Sequence, residues 1–182
     1  MKILNKETVY KGKFLHLIKT HFLDKNGTPQ VWESVERPNS KMIVIIFTLT
    51  KEREVVLVRQ FRIAQNTFVL ESPAGLCDKE GESYEDVARR ELLEETGYRA
   101  SEFIKINEGP YNSGTSKDRA IVFFAKDAEK VQGQNLDDSE EIEVVKVPLS
   151  EIVGFLANLP EGTVADIKIL GSLPILQARG LI

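Results

Sequence analysis

Ser83-Tyr84-Glu85-Asp86-Val87-Ala88-Arg89-Arg90-Glu91-Leu92-Leu93-Glu94-Glu95-Thr96-Gly97 is the stretch that decides the fold. Ser83 offers a helix N-cap, and Asp86 three residues on makes an acidic variant of the capping box. Val87, Ala88 and Leu92 recur at helical spacing, and Gly97 supplies the C-terminal stop. The spacing therefore predicts a helix over Ser83–Thr96. Glu91, Glu94 and Glu95 then fall at i, i+3 and i+4, on one face of its last turns. Like charges at that spacing repel by about 0.2–0.5 kcal/mol per pair. The negative end of the helix dipole opposes each carboxylate by roughly another 0.3–1 kcal/mol. A hard divalent cation turns this penalty into a binding site, because Mg²⁺ takes oxygen ligands in tight geometry.

A solvated acidic face would carry the same residues, with Arg90 four positions before Glu94 as an ordinary partner. The upstream residues separate the two readings. Glu71-Ser72-Pro73-Ala74-Gly75 is followed by Gly81-Glu82, and Glu82 stands eight residues before Arg90. Gly75…Glu82…Arg90-Glu91-Leu92-x-Glu94-Glu95-x-Gly97-Tyr98 resembles the Nudix box, the signature of Mg²⁺-dependent hydrolases of nucleoside diphosphates linked to another group. Between Gly75 and Glu82 the chain has one residue more than the family pattern. A loop absorbs such an insertion cheaply, so the expectation is a changed loop path over Leu76–Gly81 and an unchanged helix.

Length and composition fit this resemblance. A chain of 182 residues supports one domain with a small appended sheet. Its hydrophobic content of 42% is ample for a core, yet no run approaches the 18 or so apolar residues of a membrane span. Met1-Lys2-Ile3-Leu4-Asn5-Lys6-Glu7 lacks the apolar core of a signal peptide. The single cysteine, Cys77, rules out an intrachain disulfide framework and suits a reducing compartment. The expected location is the cytoplasm, with no membrane partner. A net charge of −4 argues against a general nucleic-acid binder. An anionic substrate must then be met by local arginines and by metal.

Strand patterns dominate the remainder. Phe14–Phe22 and Gln30–Arg37 alternate around Asp24-Lys25-Asn26-Gly27, a hairpin signal. Lys41–Thr48 and Glu54–Phe61 are β-branched runs, and Thr67–Leu70, Glu102–Asn107, Arg119–Ala125 and Glu141–Val147 read as further strands. Leu149–Leu159 reads as an amphipathic helix, and a final helix from about Val164 is expected to be interrupted at Pro174. The pattern predicts an α+β chain with a mixed sheet. The resemblance implies an α/β/α sandwich over residues 40–182, preceded by N-terminal β-strands over residues 1–39.

Val31-Trp32-Glu33-Ser34-Val35-Glu36-Arg37, Arg59-Gln60-Phe61-Arg62 and Glu71-Ser72-Pro73-Ala74-Gly75 are similar to the branch that hydrolyses ADP-ribose and other nucleoside-diphosphate sugars. By that resemblance Trp32 stacks on the base, Glu33 reads it, and the N-terminal strands swap across a two-fold homodimer. Trp32 and Glu33 would then serve the partner's active site. A core or interface anchor is the competing reading of Trp32. Arg37, Arg59 and Arg62 are candidate substrate contacts, the last two because a guanidinium fork matches phosphate oxygens; one of the pair could equally be a salt-bridged strand residue. Gly114, Thr115 and Ser116 could line the terminal sugar, although turn chemistry explains them as well. Ser113 stands where ADP-ribose-specific relatives carry proline, which leaves room for GDP-mannose and similar sugars.

The resemblance implies Mg²⁺, with Mn²⁺ as the alternative, held by Glu91, Glu95, Glu94 and the carbonyl of Ala74. Glu82 is expected to pair with Arg90 and brace the loop. The general base is expected from Asp137-Asp138-Ser139-Glu140-Glu141, with Glu140 favoured over Glu141 and Asp138. Two other readings stand beside this one. Another Nudix chemistry, such as dinucleoside polyphosphate or RNA-cap hydrolysis, fits the box but not Trp32, Arg62 and the acidic balance. A non-catalytic nucleotide-sugar sensor would not need Arg90, Glu91, Glu94 and Glu95 intact.

Overall fold

The computed structural model describes residues 1–38, 42–138 and 140–182. In chain order the elements are β1 (Lys2–Lys11), β2 (His16–Leu23), β3 (Pro29–Glu36), β4 (Ile43–Thr50), β5 (Glu54–Arg62), β6 (Thr67–Glu71), β7 (Ala74–Leu76), α1 (Tyr84–Thr96) and β8 (Tyr98–Arg99). There follow β9 (Glu102–Pro110), β10 (Arg119–Lys130), β11 (Ile142–Pro148), α2 (Ile152–Ala157), β12 (Thr163–Ala165) and α3 (Ile167–Ala178). Strands β1, β2 and β3 form a three-stranded antiparallel sheet. The other nine form a mixed sheet, in which β4 runs parallel to β10 and β6 parallel to β12.

That mixed sheet is covered on both faces, and the sequence shows why. All eight residues of β4 are buried, as expected of a strand with helices above and below. Successive side chains alternate between two cores. Val44, Ile46, Val56, Ile121 and Phe123 pack with Val87, Ala88 and Leu92 of α1. Phe47, Leu49, Val55, Leu57 and Phe124 pack with Ile152 of α2 and Ile169, Leu173 and Leu176 of α3. Each such fully buried aliphatic side chain stabilises the fold by about 1.5–3 kcal/mol relative to exposure.

The sheet divides where β4 and β5 part, and this positions the site. The two strands pair only at Thr48–Val56 and Leu49–Val55. Beyond that point β4 takes β7 as its antiparallel partner over Ile43–Ile45. Strand β5 takes β6 instead, from Val58–Glu71 to Arg62–Thr67, and pairs along most of its length with β11. The turn leading into β7 therefore lies against α1, whose last turn it must meet.

Several sequence expectations are corrected here. The helix expected over Leu149–Leu159 is only Ile152–Ala157, since Glu151 at its start makes no side-chain cap and Asn158 leaves helical geometry. Val164 belongs to β12, which completes the sheet beside β6. The last helix begins at Ile167 behind the N-cap Asp166 and runs through Pro174 without interruption. Pro174 removes one hydrogen bond of the helix, but Leu173 and Leu176 are buried on either side of it and hold both halves. The exposed strand β1 carries no alternating apolar face that would betray it. The boundary expected between residues 39 and 40, and the strand start expected at Lys41, lie outside the described residues. No described helix is long and apolar enough to cross a membrane.

Candidate active site

Helix α1 is held at both ends as its sequence requires. The Ser83 hydroxyl accepts from the Asp86 amide at 3.1 Å, and the Asp86 carboxylate accepts from the Ser83 amide at 3.3 Å. Gly97 is left-handed at φ 75° and donates to the Leu93 carbonyl at 2.9 Å. An added Cβ there would lie 2.2 Å from the Gln132 carbonyl oxygen, so this C-terminal stop is fixed by both conformation and space.

The carboxylates on α1 sit in different surroundings. Glu95 is buried and its carboxylate accepts from the Ala74 amide at 3.1 Å. Burial first, and then the nearby charge of Glu91, push its carboxyl up to about 8, against the pull of that amide. Burial also raises Glu91, opposed by Arg90. Glu94 is more exposed, at 37% of its side chain. Gly75 is what admits Glu91 to the turn: a Cβ on Gly75 would lie 2.0 Å from the Glu91 carboxyl group.

Arg90 ties the cluster together. Its Nε and Nη2 donate to the two oxygens of Glu82 at 2.9 and 3.2 Å. Its Nη1 donates to Glu91 at 2.6 Å and to Glu94 at 3.0 Å. These bonds hold Glu82 below the usual carboxylate range and raise Arg90 further. The expected pairing of Glu82 with Arg90 thus forms, and Gly81 just before Glu82 is left-handed at φ 82°. Cys77 is buried among the residues packed against α1.

Two neighbours complete the electrostatics. Glu140 lies close enough for its charge to raise both Glu91 and Glu95. Its amide donates to the Asp137 carbonyl at 2.9 Å, and its carboxylate accepts from the Asp137 amide at 3.2 Å. Glu141 and Asp138 are exposed, and Ser139 lies outside the described residues. Arg62 donates through Nε to Glu71 at 2.6 Å, and its charge reaches Glu95. Arg59 is three residues away on β5 and so on the opposite face. It donates to Glu143 and Thr163 at 3.0 and 3.1 Å and lies 3.8 Å over the Phe68 ring. The structure therefore brings Arg62, and not Arg59, to the carboxylates.

The expected base and sugar contacts gather elsewhere, between β3 and the loop after β9. Trp32 is half exposed, and its Nε1 donates to the Gly114 carbonyl at 3.0 Å. The Val35 amide donates to the Thr115 carbonyl at 2.8 Å, and the Lys117 amide to the Val35 carbonyl at 3.0 Å. A cleft of about 210 Å³ opens beside Trp32, Ser113, Gly114, Thr115 and Ser116. Glu33 lies 3.8 Å from Lys19 Nζ. Arg37 Nε is buried 3.3 Å from Asp118 Oδ2 but off the direction of a hydrogen bond. It lines a neighbouring cavity of about 310 Å³ with Lys117 and Arg119.

The donor set fits a hard divalent cation. Glu91 and Glu95 are two desolvated carboxylates whose mutual repulsion a cation would relieve, and the Ala74 amide is the backbone group recorded at Glu95. As they stand among the described residues, no three acidic, histidine or cysteine side chains enclose an ion. Arg90 engages Glu91 and Glu94. Gln134 was not legible as a site residue. Its Nε2 donates to the carbonyls of Glu95 and Ile142 at 2.7 and 2.9 Å, contacts that depend on where a remote loop passes.

Residues 39–170 match the NUDIX domain family. The ADP-ribose pyrophosphatase of Bacillus subtilis is 32% identical over 179 residues, spanning 98% of this chain and 93% of that protein. The GDP-mannose pyrophosphatase of Yersinia enterocolitica is 31% identical over 191 residues, spanning 98% and 96%. The ADP-sugar pyrophosphatase of Mus musculus is 30% identical over 165 residues, spanning 83% and 75%. A crystal structure of an ADP compounds hydrolase superposes with a TM-score of 0.82, covering 100% of this chain and 96% of that one. At 23% identity that likeness is one of fold.

Proposed function

The chain belongs to the NUDIX family and is an enzyme of it, and on that premise we propose that it is a Mg²⁺-dependent pyrophosphohydrolase of ADP-ribose and related nucleoside-diphosphate sugars. The observation that carries this reading is the pair of half-buried Glu91 and buried Glu95, seated against Gly75 and the Ala74 amide. The substrate class is supported by relatives at 30–32% identity that are named for ADP-ribose, ADP-sugars and GDP-mannose.

Glu91 and Glu95, with Glu94 and the Ala74 carbonyl, would hold Mg²⁺ or Mn²⁺. When bound, such an ion supplies charge neutralisation on the phosphates and a water of lowered pKa. Holding it requires Arg90 to release Glu91 while keeping Glu82. Arg62 binds a phosphate oxygen in place of Glu71, and the guanidinium fork suits that exchange. Arg37, with its buried donor unmet, is a second phosphate contact. Glu140 accepts the proton of the attacking water as its oxygen bonds to phosphorus. The bridging P–O bond breaks, and a nucleoside monophosphate and a sugar phosphate leave. Trp32 offers a stacking face, worth about 1–3 kcal/mol to a base. Glu33 accepts from the base edge, and Gly114, Thr115 and Ser116 face the sugar. We further propose that residues 1–39 build a homodimer, so that Trp32 and Glu33 reach the partner's substrate.

The test is Mg²⁺-dependent release of phosphatase-sensitive product from ADP-ribose, GDP-mannose, UDP-glucose and diadenosine polyphosphate in parallel. Turnover of the sugar nucleotides above the dinucleotide is expected. Preference for the diadenosine compound would contradict the substrate class, and binding without turnover would contradict catalysis.

A further inference from the structure

The C-terminal end of α1 leaves carbonyl groups that no later helical turn can satisfy. The Asn135 amide donates to the Glu94 carbonyl at 2.8 Å, and Gln134 Nε2 donates to the Glu95 carbonyl at 2.7 Å. The amides of Val131 and Gln132 both donate to the Gly97 carbonyl, at 2.9 and 3.3 Å. Five consecutive residues, 131–135, therefore run across the end of the helix that carries the buried carboxylates. The Gln134 amide group has two N–H bonds, and both are used. The second reaches the Ile142 carbonyl at 2.9 Å, at the first residue of β11. One side chain thus joins the backbone at Glu95 to the backbone two residues after Glu140.

We propose that Gln134 is a positioning residue, which fixes Glu140 against the Glu91–Glu95 pair by tying both ends of its loop to α1. This rests on the reading of Glu140 as the proton acceptor. Among the described residues, the hydrogen bonds of Glu140 within this loop go to Asp137. Asn135 contributes through its backbone, so Gln134 is the side chain on which the tie depends. Methionine at this position keeps the length and removes both donors.

The experiment is a double-mutant cycle on ADP-ribose hydrolysis with Gln134→Met, Glu140→Gln and the double variant, in the full chain at saturating Mg²⁺. Gln134→Met is expected to lower kcat by about 10- to 100-fold, the range for partners that orient a site. KM should stay within about twofold and the Mg²⁺-induced rise in Tm should persist. The double variant should be no slower than Glu140→Gln alone, because the two residues act as one unit. Multiplicative losses in the double variant would overturn the proposal, as would an unchanged kcat in Gln134→Met. A parallel loss of kcat, KM and Tm would reduce Gln134 to a structural bond. Near-normal kcat in Glu140→Gln is a separate failure, since it removes the proton acceptor itself and leaves Gln134 nothing to position.

Discussion

Glu95 shows at the scale of one residue how this chain trades stability for a site. Its carboxyl is raised from 4.5 to about 8 by burial and by Glu91, so the folded protein binds a proton that the unfolded chain releases. A raised folded pKa contributes stability that is complete below about pH 4.5 and lost as pH rises through about 8. Glu91 shifts in the same direction. In a chelator, therefore, calorimetry should show the Tm of the wild type falling between about pH 5 and 8 relative to Glu95→Gln. The glutamine is neutral throughout and still offers an oxygen to the Ala74 amide. Parallel Tm profiles for the two proteins would contradict the buried charge.

At the scale of elements, α1 was legible because every signal in it is local. Ser83, Asp86 and Gly97 are within a turn of the groups they satisfy, and the apolar stripe needs no knowledge of the partner sheet. Strands β4 and β5 were legible for a similar reason, as β-branched runs, and parts of β10 and β11 read as strands too. Strand β1 was not: all ten of its residues are exposed, including Ile3, Leu4, Val9 and Tyr10. Such a segment is ordered chiefly by its pairing with β2, with little burial to add. An exposed edge strand bearing apolar side chains is a template for another chain. Sedimentation equilibrium at micromolar concentration should accordingly give twice the 20.5 kDa chain mass. A monomer there would contradict the proposed pairing.

For the whole molecule, the site is assembled from segments far apart in sequence, and this set the limit of sequence reading. The helix was readable from its own caps and spacing, whereas the Gly75 turn and the acidic residues Asp137, Asp138, Glu140 and Glu141 were singled out through the family resemblance. Which arginine of β5 faces the carboxylates depended on the alternation of that strand within the folded sheet. The tie through Gln134 depended on the path of residues 131–135 over the end of α1. The residues singled out for their residue type were therefore easier to find in the sequence than Gln134, whose contacts depend on the fold.

We propose that the Glu91–Glu95 pair holds the divalent cation on which pyrophosphate cleavage depends. The decisive measurement is turnover of ADP-ribose by Glu95→Gln at saturating Mg²⁺, with Tm recorded alongside. Loss of the ion's charge stabilisation removes several kcal/mol at about 1.4 kcal/mol per tenfold, so turnover should fall by about a thousandfold or more with the fold intact. Near-normal turnover with an unchanged Tm would contradict it.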